Sequence, residues 1–279
     1  MKIIDAHEIE NKVAALIADC LCNVDGDTCA LLKAAEKRET NEMARWALPI
    51  INENNELARK TSSPACQDTG LAVFFVEIGG EASVVNGTVE SALNNAVRRA
   101  YGKAYGRMSV LSPVLRVNTG DNTPAVIHYA VTNGYSLKIS FLAKGAGAEN
   151  MSALQMLNPT GGKEGITAFI SDAVKRAGAN SCPPVILGVG IGGTMEKAAV
   201  MSKHALLRKV GEVSPDAEIA AYEKELLDKV NASGIGVQGF GGNNTCLAVH
   251  IETFPTHMAM LPVAVNIQCH CARHGEIMF

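Results

Sequence analysis

The chain has 279 residues, 47% of them hydrophobic, with 25 Lys and Arg against 28 Asp and Glu and a formal net charge of −3. That length is enough for a full core, and a sequence pI near 6.2 offers no basic surface to nucleic-acid phosphates. The opening MKIIDAHEIENKVAALIADC is acidic early and has no long apolar run, so it reads as neither a signal nor a transit peptide. No stretch approaches the roughly 20 apolar residues of a membrane span. The expectation is a soluble, cytoplasmic protein. Its eight cysteines, Cys20, Cys22, Cys29, Cys66, Cys182, Cys246, Cys269 and Cys271, are then reduced thiols and not a disulfide framework.

In chain order, residues 9–57 carry helical spacing, with Ile9, Val13, Leu16, Ile17 and Cys20 on one face. TSSPACQDTG breaks that pattern as a loop, and LAVFFVEIG reads as a buried strand. ESALNNAVRRAYGKAYG is helical and NTGDNTP is a turn cluster. AVIHYAVTNGYSLKISFLAKGAG reads as two strands joined at Asn133-Gly134, a hairpin signal. After the KGAGAEN loop, MSALQML reads as helix, as does GITAFISDAVKRAGA up to Gly178. CPPVILGVGIGG is a loop, a buried strand and a glycine turn. TMEKAAVMSKHALLRKV is a helix with Thr194 as its N-cap, and AEIAAYEKELLDKVNAS is an amphipathic helix stopping at Gly234. GIGVQGFGGNN is a glycine loop, followed by the strands TCLAVHIE and PVAVNIQC. The fold class expected is α/β, a mixed sheet with flanking helices and a helical N-terminal region. It is read as a single domain, 1–279, with residues 1–60 helical and 61–279 forming the α/β part.

Three cysteines stand at strand ends, where a sheet fixes geometry and loops admit ligand. Cys66 and Cys182 lie in loops before buried strands, and Cys269 closes an apolar strand. No CxxC pairing is present, which argues against a zinc ribbon. By themselves these could be three unrelated thiols. Cys20, Cys22 and Cys29 lie on helices and read as core or surface thiols, and Cys246, which opens a buried strand, reads as a packing thiol. His128, His204 and His250 read as structural, while His270 and His274 lie near a candidate ligand.

The blocks P-A-C-Q-D-T-G, N-T-G-D-N-T-P, K-G-A-G-A-E-N, C-P-P-V-I-L-G-V-G-I-G-G-T-M-E-K-A, G-I-G-V-Q-G-F-G-G and P-T-H-M-A followed by V-A-V-N-I-Q-C-H resemble, in order, the class I iron–sulfur fumarate hydratase family, in its α subunit or N-terminal half. Tartrate dehydratase α subunits are similar, and I-G-G-T-M-E-K-A and K-G-x-G-x-E-N lean toward the fumarase branch. The resemblance implies an oxygen-sensitive hydro-lyase of the tricarboxylic acid cycle, which hydrates fumarate reversibly to (S)-malate. The alternative is a tartrate or other 2-hydroxy dicarboxylate dehydratase. It implies a [4Fe–4S] cluster on Cys66, Cys182 and Cys269, in the 61–279 part. Three thiolates leave one iron open as a Lewis acid, whereas four leave only electron transfer.

The resemblance further implies that Asp68 and His257 are catalytic, with His257 reaching a site across a dimer interface. Gln67, Arg107 and Gly147 would bind the dicarboxylate, Arg107 through its planar fork. The remaining site groups would come from a separate β subunit in an α2β2 assembly. Cys271 stands where the family has alanine, and Ala146 where relatives often have glycine. Without the resemblance, Asp68 would read as a turn residue, Arg107 as a surface arginine and His257 as a loop histidine. The runner-up of another class is a nicotinamide-dependent oxidoreductase, from G-x-G-x-x-G at 188–193. Against it, LLRKVGEVSPD is too polar and short for the second strand that the fingerprint needs, and the glycines read as a strand–helix packing turn.

Overall fold

The computed structural model describes all 279 residues. Its elements run β1 (Lys2–Asp5), α1 (Ala6–Cys22), α2 (Gly26–Arg38), α3 (Glu42–Thr61), β2 (Leu71–Gly79), β3 (Ala82–Val85), α4 (Val89–Lys103), β4 (Val126–Thr132), β5 (Leu137–Lys144) and α5 (Ala146–Glu149). Then follow β6 (Ala153–Leu157), α6 (Gly162–Ala177), β7 (Val185–Gly192), α7 (Met195–His204), α8 (Ala217–Asn231), β8 (Cys246–Phe254), β9 (Leu261–Gln268) and β10 (His274–Met278). They form two compact units. The first comprises Met1–Asp25, Asn54–Ala146 and Arg273–Phe279, and the second Gly26–Glu53 and Gly147–Ala272. The α/β class with mixed sheets, flanking helices and a helical N-terminal region is the one the sequence implied.

In the first unit a four-stranded sheet has the order β10-β5-β2-β4. β2 runs parallel to β4 and antiparallel to β5. α1 starts on Asp5, whose side chain accepts from His7 N at 2.7 Å. α4 starts on a reciprocal Thr88–Ser91 cap. Their apolar faces, Ile9, Val13, Ile17 and Leu21 on α1 and Leu93, Ala96, Val97 and Ala100 on α4, bury against Phe74, Val76, Ile139 and Phe141 of the sheet. Each large side chain so buried contributes about 1.5–3 kcal/mol. The Asn133-Gly134 hairpin does not form. β4 and β5 are not neighbours, because β2, apolar along most of its length and nearly all buried, lies between them. The 133–136 turn crosses the end of β2 instead. Gly79 N donates to Ser136 O at 2.8 Å and Glu81 N to Gly134 O at 2.9 Å. A Cβ on Gly79 would stand 2.3 Å from Gly134 O, so that crossing requires glycine.

In the second unit the sheet order is β6-β9-β7-β8. β7 and β8 are parallel, and β9 runs antiparallel to β7 and to β6. MSALQML is therefore an edge strand in its latter part and not a helix. Its pairing with β9 overrides the local pattern, leaving Leu154 and Met156 partly exposed. The short strands β1, β3 and β10 also escaped the sequence reading. α7 packs on β7 so closely that a Cβ on Gly188 would meet Ser202 O at 2.0 Å, and one on Gly190 would meet Ala198 O at 2.1 Å. The 188–193 glycines are thus a packing seam within and just after a strand. After α7 the chain passes through a 3₁₀ turn to α8 with no strand before β8, so the second strand of a dinucleotide fold is absent there. Gly190→Ala is expected to cost about 1–3 kcal/mol through backbone displacement, lowering the thermal midpoint by several degrees in a circular-dichroism melt; an unchanged midpoint would refute the seam.

Candidate active site

In the first unit the loop before β2, the end of β5 and the start of β10 share one end of the sheet, because Leu71 pairs with Lys144 and His274 with Leu142. Cys66, Gln67 and Asp68 lie in that loop. Ala65 N donates to Leu21 O at 3.0 Å, and Asn54 Nδ2 donates to Ala65 O at 2.9 Å. On the far side Tyr101 Oη donates to Gly70 O at 2.9 Å. Gly70 has φ +81°, and a Cβ there would stand 2.9 Å from the Ala143–Lys144 backbone. The half-buried Cys66 is thereby fixed at both sides, while Gln67 beside it is exposed.

Asp68 is held more firmly than a turn aspartate needs. Its Oδ1 accepts from Gly70 N at 3.0 Å and its Oδ2 from Ala146 N at 2.7 Å. Its own carbonyl accepts from Arg273 Nη2 at 2.8 Å. A carboxylate oxygen has room for a second bond, so both oxygens remain able to meet a substrate proton. Arg107 joins the same loop, since its backbone N donates to Thr69 Oγ1 at 2.9 Å. Asn122 Nδ2 donates to Arg107 O at 2.7 Å. The Arg107 side chain is exposed. Arg273 was not singled out from the sequence; its signal is a charged residue two positions past Cys271, at the start of a strand.

The second unit gathers its own set. Ile186 faces Gln268 across β7 and β9, so the loop before β7 and the end of β9 coincide, and His270 N donates to Cys182 O at 3.5 Å. Cys182 and Cys269 thus meet at one sheet end. Cys182 is exposed and has a left-handed backbone, φ 51° and ψ 63°, which costs a non-glycine residue about 1–2 kcal/mol. The half-buried Cys269 has Gln268 Nε2 at 3.9 Å from its Sγ. Gly147, exposed in α5, stands near Asn180 O. Glu149 two residues on pairs with Lys203 and accepts from Asn266 Nδ2 at 3.2 Å. His257 is elsewhere. It lies on the exposed turn between β8 and β9, with Ala259 N donating to its Nδ1 at 3.2 Å. The eight residues of β9 put it roughly 25 Å from Cys269.

The glycine loop 236–242 backs the Cys182 turn. Gln238 donates to Pro183 O from both its backbone N, at 2.8 Å, and its Nε2, at 3.0 Å. The buried Glu39 braces this loop, accepting from Thr40 N, Asn41 N, Asn243 N and Asn244 Nδ2. Burial alone would raise the Glu39 carboxyl, but the hydrogen bonds from Asn41, Asn244, Asn243 and Thr40 outweigh it and hold it below its ordinary 4.5. No sequence pattern announced this brace, because its two halves lie some two hundred residues apart.

No three His, Cys, Asp or Glu side chains close on one point as the ligands of a single ion would. An iron–sulfur cubane, which holds its ligand sulfurs farther apart than one ion does, asks instead for accessible soft thiols. Cys182 is exposed and Cys66 and Cys269 are half-buried, none of them in a disulfide, so each is a thiol of the kind such a cluster takes; Cys29 on α2 is half-buried as well. Cys20 and Cys246 do not: burial, reinforced at Cys20 by Asp25, pushes both thiols up to about 12. Cys22 is buried as well. Four other histidines have structural partners. His274 Nδ1 lies 2.8 Å from Asp25, His204 Nδ1 lies 2.6 Å from Glu252, His250 Nδ1 lies 3.1 Å from Ala205 O, and His128 stacks on Phe75.

A family model described as fumarate hydratase (Fumerase) matches residues 10–278, and the chain belongs to this hydro-lyase family. Among its relatives, a putative L(+)-tartrate dehydratase subunit alpha of Methanocaldococcus jannaschii is 40% identical over 275 residues, covering 96% of each chain. The L(+)-tartrate dehydratase subunit alpha of Escherichia coli O157:H7 is 33% identical over 276 residues, covering 96% of this chain and 91% of that one. Nothing in these comparisons supports a nicotinamide-dependent oxidoreductase. No helix is long and apolar enough to cross a membrane.

Replacing Glu39 by Ala is expected to cost about 1–3 kcal/mol at pH 7, since it strands buried N–H donors. A depressed carboxyl stabilises the fold above its unfolded value, near 4.5, and that contribution is lost as pH falls through the lower folded value. Thermal midpoints taken from pH 7 down to pH 3 should therefore converge between wild type and Glu39→Gln in acid. Parallel curves would exclude Glu39 as the titrating brace.

Proposed function

We propose that the chain is the α subunit of an iron–sulfur hydro-lyase that hydrates fumarate reversibly to (S)-malate, with Cys66, Cys182 and Cys269 ligating a [4Fe–4S] cluster. The observation that carries this reading is the meeting of the Cys182 loop with the chain just after Cys269 at one sheet end, in a chain whose family match runs nearly end to end. When bound, the cluster supplies an open iron as Lewis acid for the departing hydroxyl, a poor leaving group unaided. The chain's own groups do the rest. Arg107, exposed and pinned through its backbone, forks onto one substrate carboxylate. Gln67 and the Gly147 backbone N–H orient the substrate. Asp68, with its carboxylate held in one orientation, serves the acid–base step at the carbon that loses its proton. His257, a strand's length from Cys269, enters this reading as a residue lent to a second copy in an α2β2 assembly.

A dicarboxylate carries two charges, and this chain brings one arginine to them in this reading. The relatives are named alpha subunits, which supports a β partner carrying the remaining carboxylate-binding groups. The same names favour a second reading, dehydration of L(+)-tartrate. The two substrates differ by a hydroxyl, and a site built to hydrogen-bond that hydroxyl rejects the analogue lacking it by about 10⁴-fold or more.

Anaerobic iron–sulfur reconstitution, followed by assay with malate, fumarate and L(+)-tartrate, alone and with the candidate β chain, separates these readings. Turnover is expected only in the mixture, with kcat/KM favouring malate and activity lost in air. Preference for tartrate would replace the substrate, and robust turnover by the chain alone would end the half-enzyme reading. Cys66→Ser, Cys182→Ser and Cys269→Ser should each lose the broad absorbance of the cluster, and Cys246→Ser and Cys271→Ser should keep it. If Cys271→Ser loses it and Cys269→Ser does not, the ligand assignment is wrong.

A further inference from the structure

Arg273 is 1% exposed, the charged residue most fully withdrawn from water in the first unit. Taking a guanidinium out of water costs several kcal/mol, and an apolar side chain of similar volume often fills such a space at no loss of stability. Stability alone therefore gives no reason for an arginine here. Its hydrogen bonding does. Nη2 donates to Asp68 O at 2.8 Å, while Arg273 O accepts from Ala143 N at 2.9 Å, which ties the start of β10 to β5. The guanidinium also lies beside the segment that holds the Asp68 carboxylate. A Cβ built on Gly145 would stand 3.3 Å from Asp68 Oδ2 and 4.0 Å from Arg273 Nη2, and Ala146 N, next along, donates to that same Oδ2. The charge reaches the surrounding core, drawing down the Tyr101 hydroxyl and the Cys20 thiol against the burial that raises both.

We infer that Arg273 is a positioning residue for Asp68. Its guanidinium fixes the Asp68 main chain from one side while Gly70 N and Ala146 N fix the carboxylate from the other, so the carboxylate keeps one orientation through proton transfer. This rests on the reading of Asp68 as the acid–base group. Arginine suits the task because its planar fork holds a direction, whereas lysine offers a rotating point charge on a shorter reach. Loosening a reacting group by about 1 Å can cost on the order of 100-fold in rate.

The test uses the reconstituted complex with its β chain and whichever of malate and L(+)-tartrate it turns over. Arg273→Met should lower kcat about 100-fold with KM little changed and cluster absorbance retained. Arg273→Lys should recover part of that loss. Because a displaced carboxylate slows proton transfer in particular, the primary isotope effect with substrate deuterated at the carbon that loses its proton should rise in both variants. A purely structural role would not move that effect. Wild-type kcat and isotope effect in Arg273→Lys and Arg273→Met, with Asp68→Asn inactive, would overturn the inference and leave the site reading intact. Full activity in Asp68→Asn would overturn the reading of Asp68 and the inference with it. Loss of the cluster in Arg273→Lys would mark a general structural role and also overturn it. If Arg273→Met does not fold, the Arg273→Lys kinetics decide alone.

Discussion

Strand direction is the constraint on which everything else in this protein depends. In each unit an apolar central strand runs antiparallel to a neighbour, so the loop entering one strand and the loop leaving the other meet at a single edge. β7 and β9 bring Cys182 and Cys269 together in this way across some ninety residues of chain. β2 and β5 do the same for the Cys66–Asp68 loop and Ala146, and β10 adds Arg273. Reversing either pairing would send these residues to opposite ends of a sheet, as the distance of His257 along β9 illustrates.

Close packing and buried hydrogen bonds support the loops that carry the candidate residues. Glycine at 188 and 190 lets α7 settle directly on β7, which fixes the strand that follows the Cys182 loop. Glu39 closes the glycine loop that backs that turn, accepting four donors in a buried place where each unpaired N–H would cost about 1–3 kcal/mol. The Cys66 loop is likewise fixed before and after the cysteine, by Leu21, Asn54 and Tyr101. The candidate ligands are accessible, as is the half-buried Cys29, while Cys20, Cys22, Cys246 and Cys271 are shut into the core.

The two unit cores account for where sequence periodicity succeeded. α1, α4, α6 and α8 bury one face each, and β2, β5, β7, β8 and β9 are apolar enough to be read as interior strands. Periodicity failed where a neighbour set the outcome. MSALQML includes an edge strand because β9 offers it a partner. Asn133-Gly134 makes no hairpin because β2 competes successfully for β5. β1, β3 and β10 are too short to carry a period of their own.

The sequence by itself determined the α/β class, the family and the candidate thiols, since local periodicity, glycine-rich turns and ordered motifs are properties of neighbouring residues. Asp68, Gln67 and Gly147 stood out as candidates through those motifs and Arg107 through the family resemblance, and the glycines at 188–193 were legible through the missing second strand beside them. Only the tertiary structure decided strand order, the division of the chain into two units, the separation of His257 from Cys269 and the hold of Arg273 and Glu39 on their loops. Those depend on contacts between residues far apart in the chain. Such contacts form when buried donors and acceptors must find partners out of water, and a linear pattern does not encode which distant partner each will find.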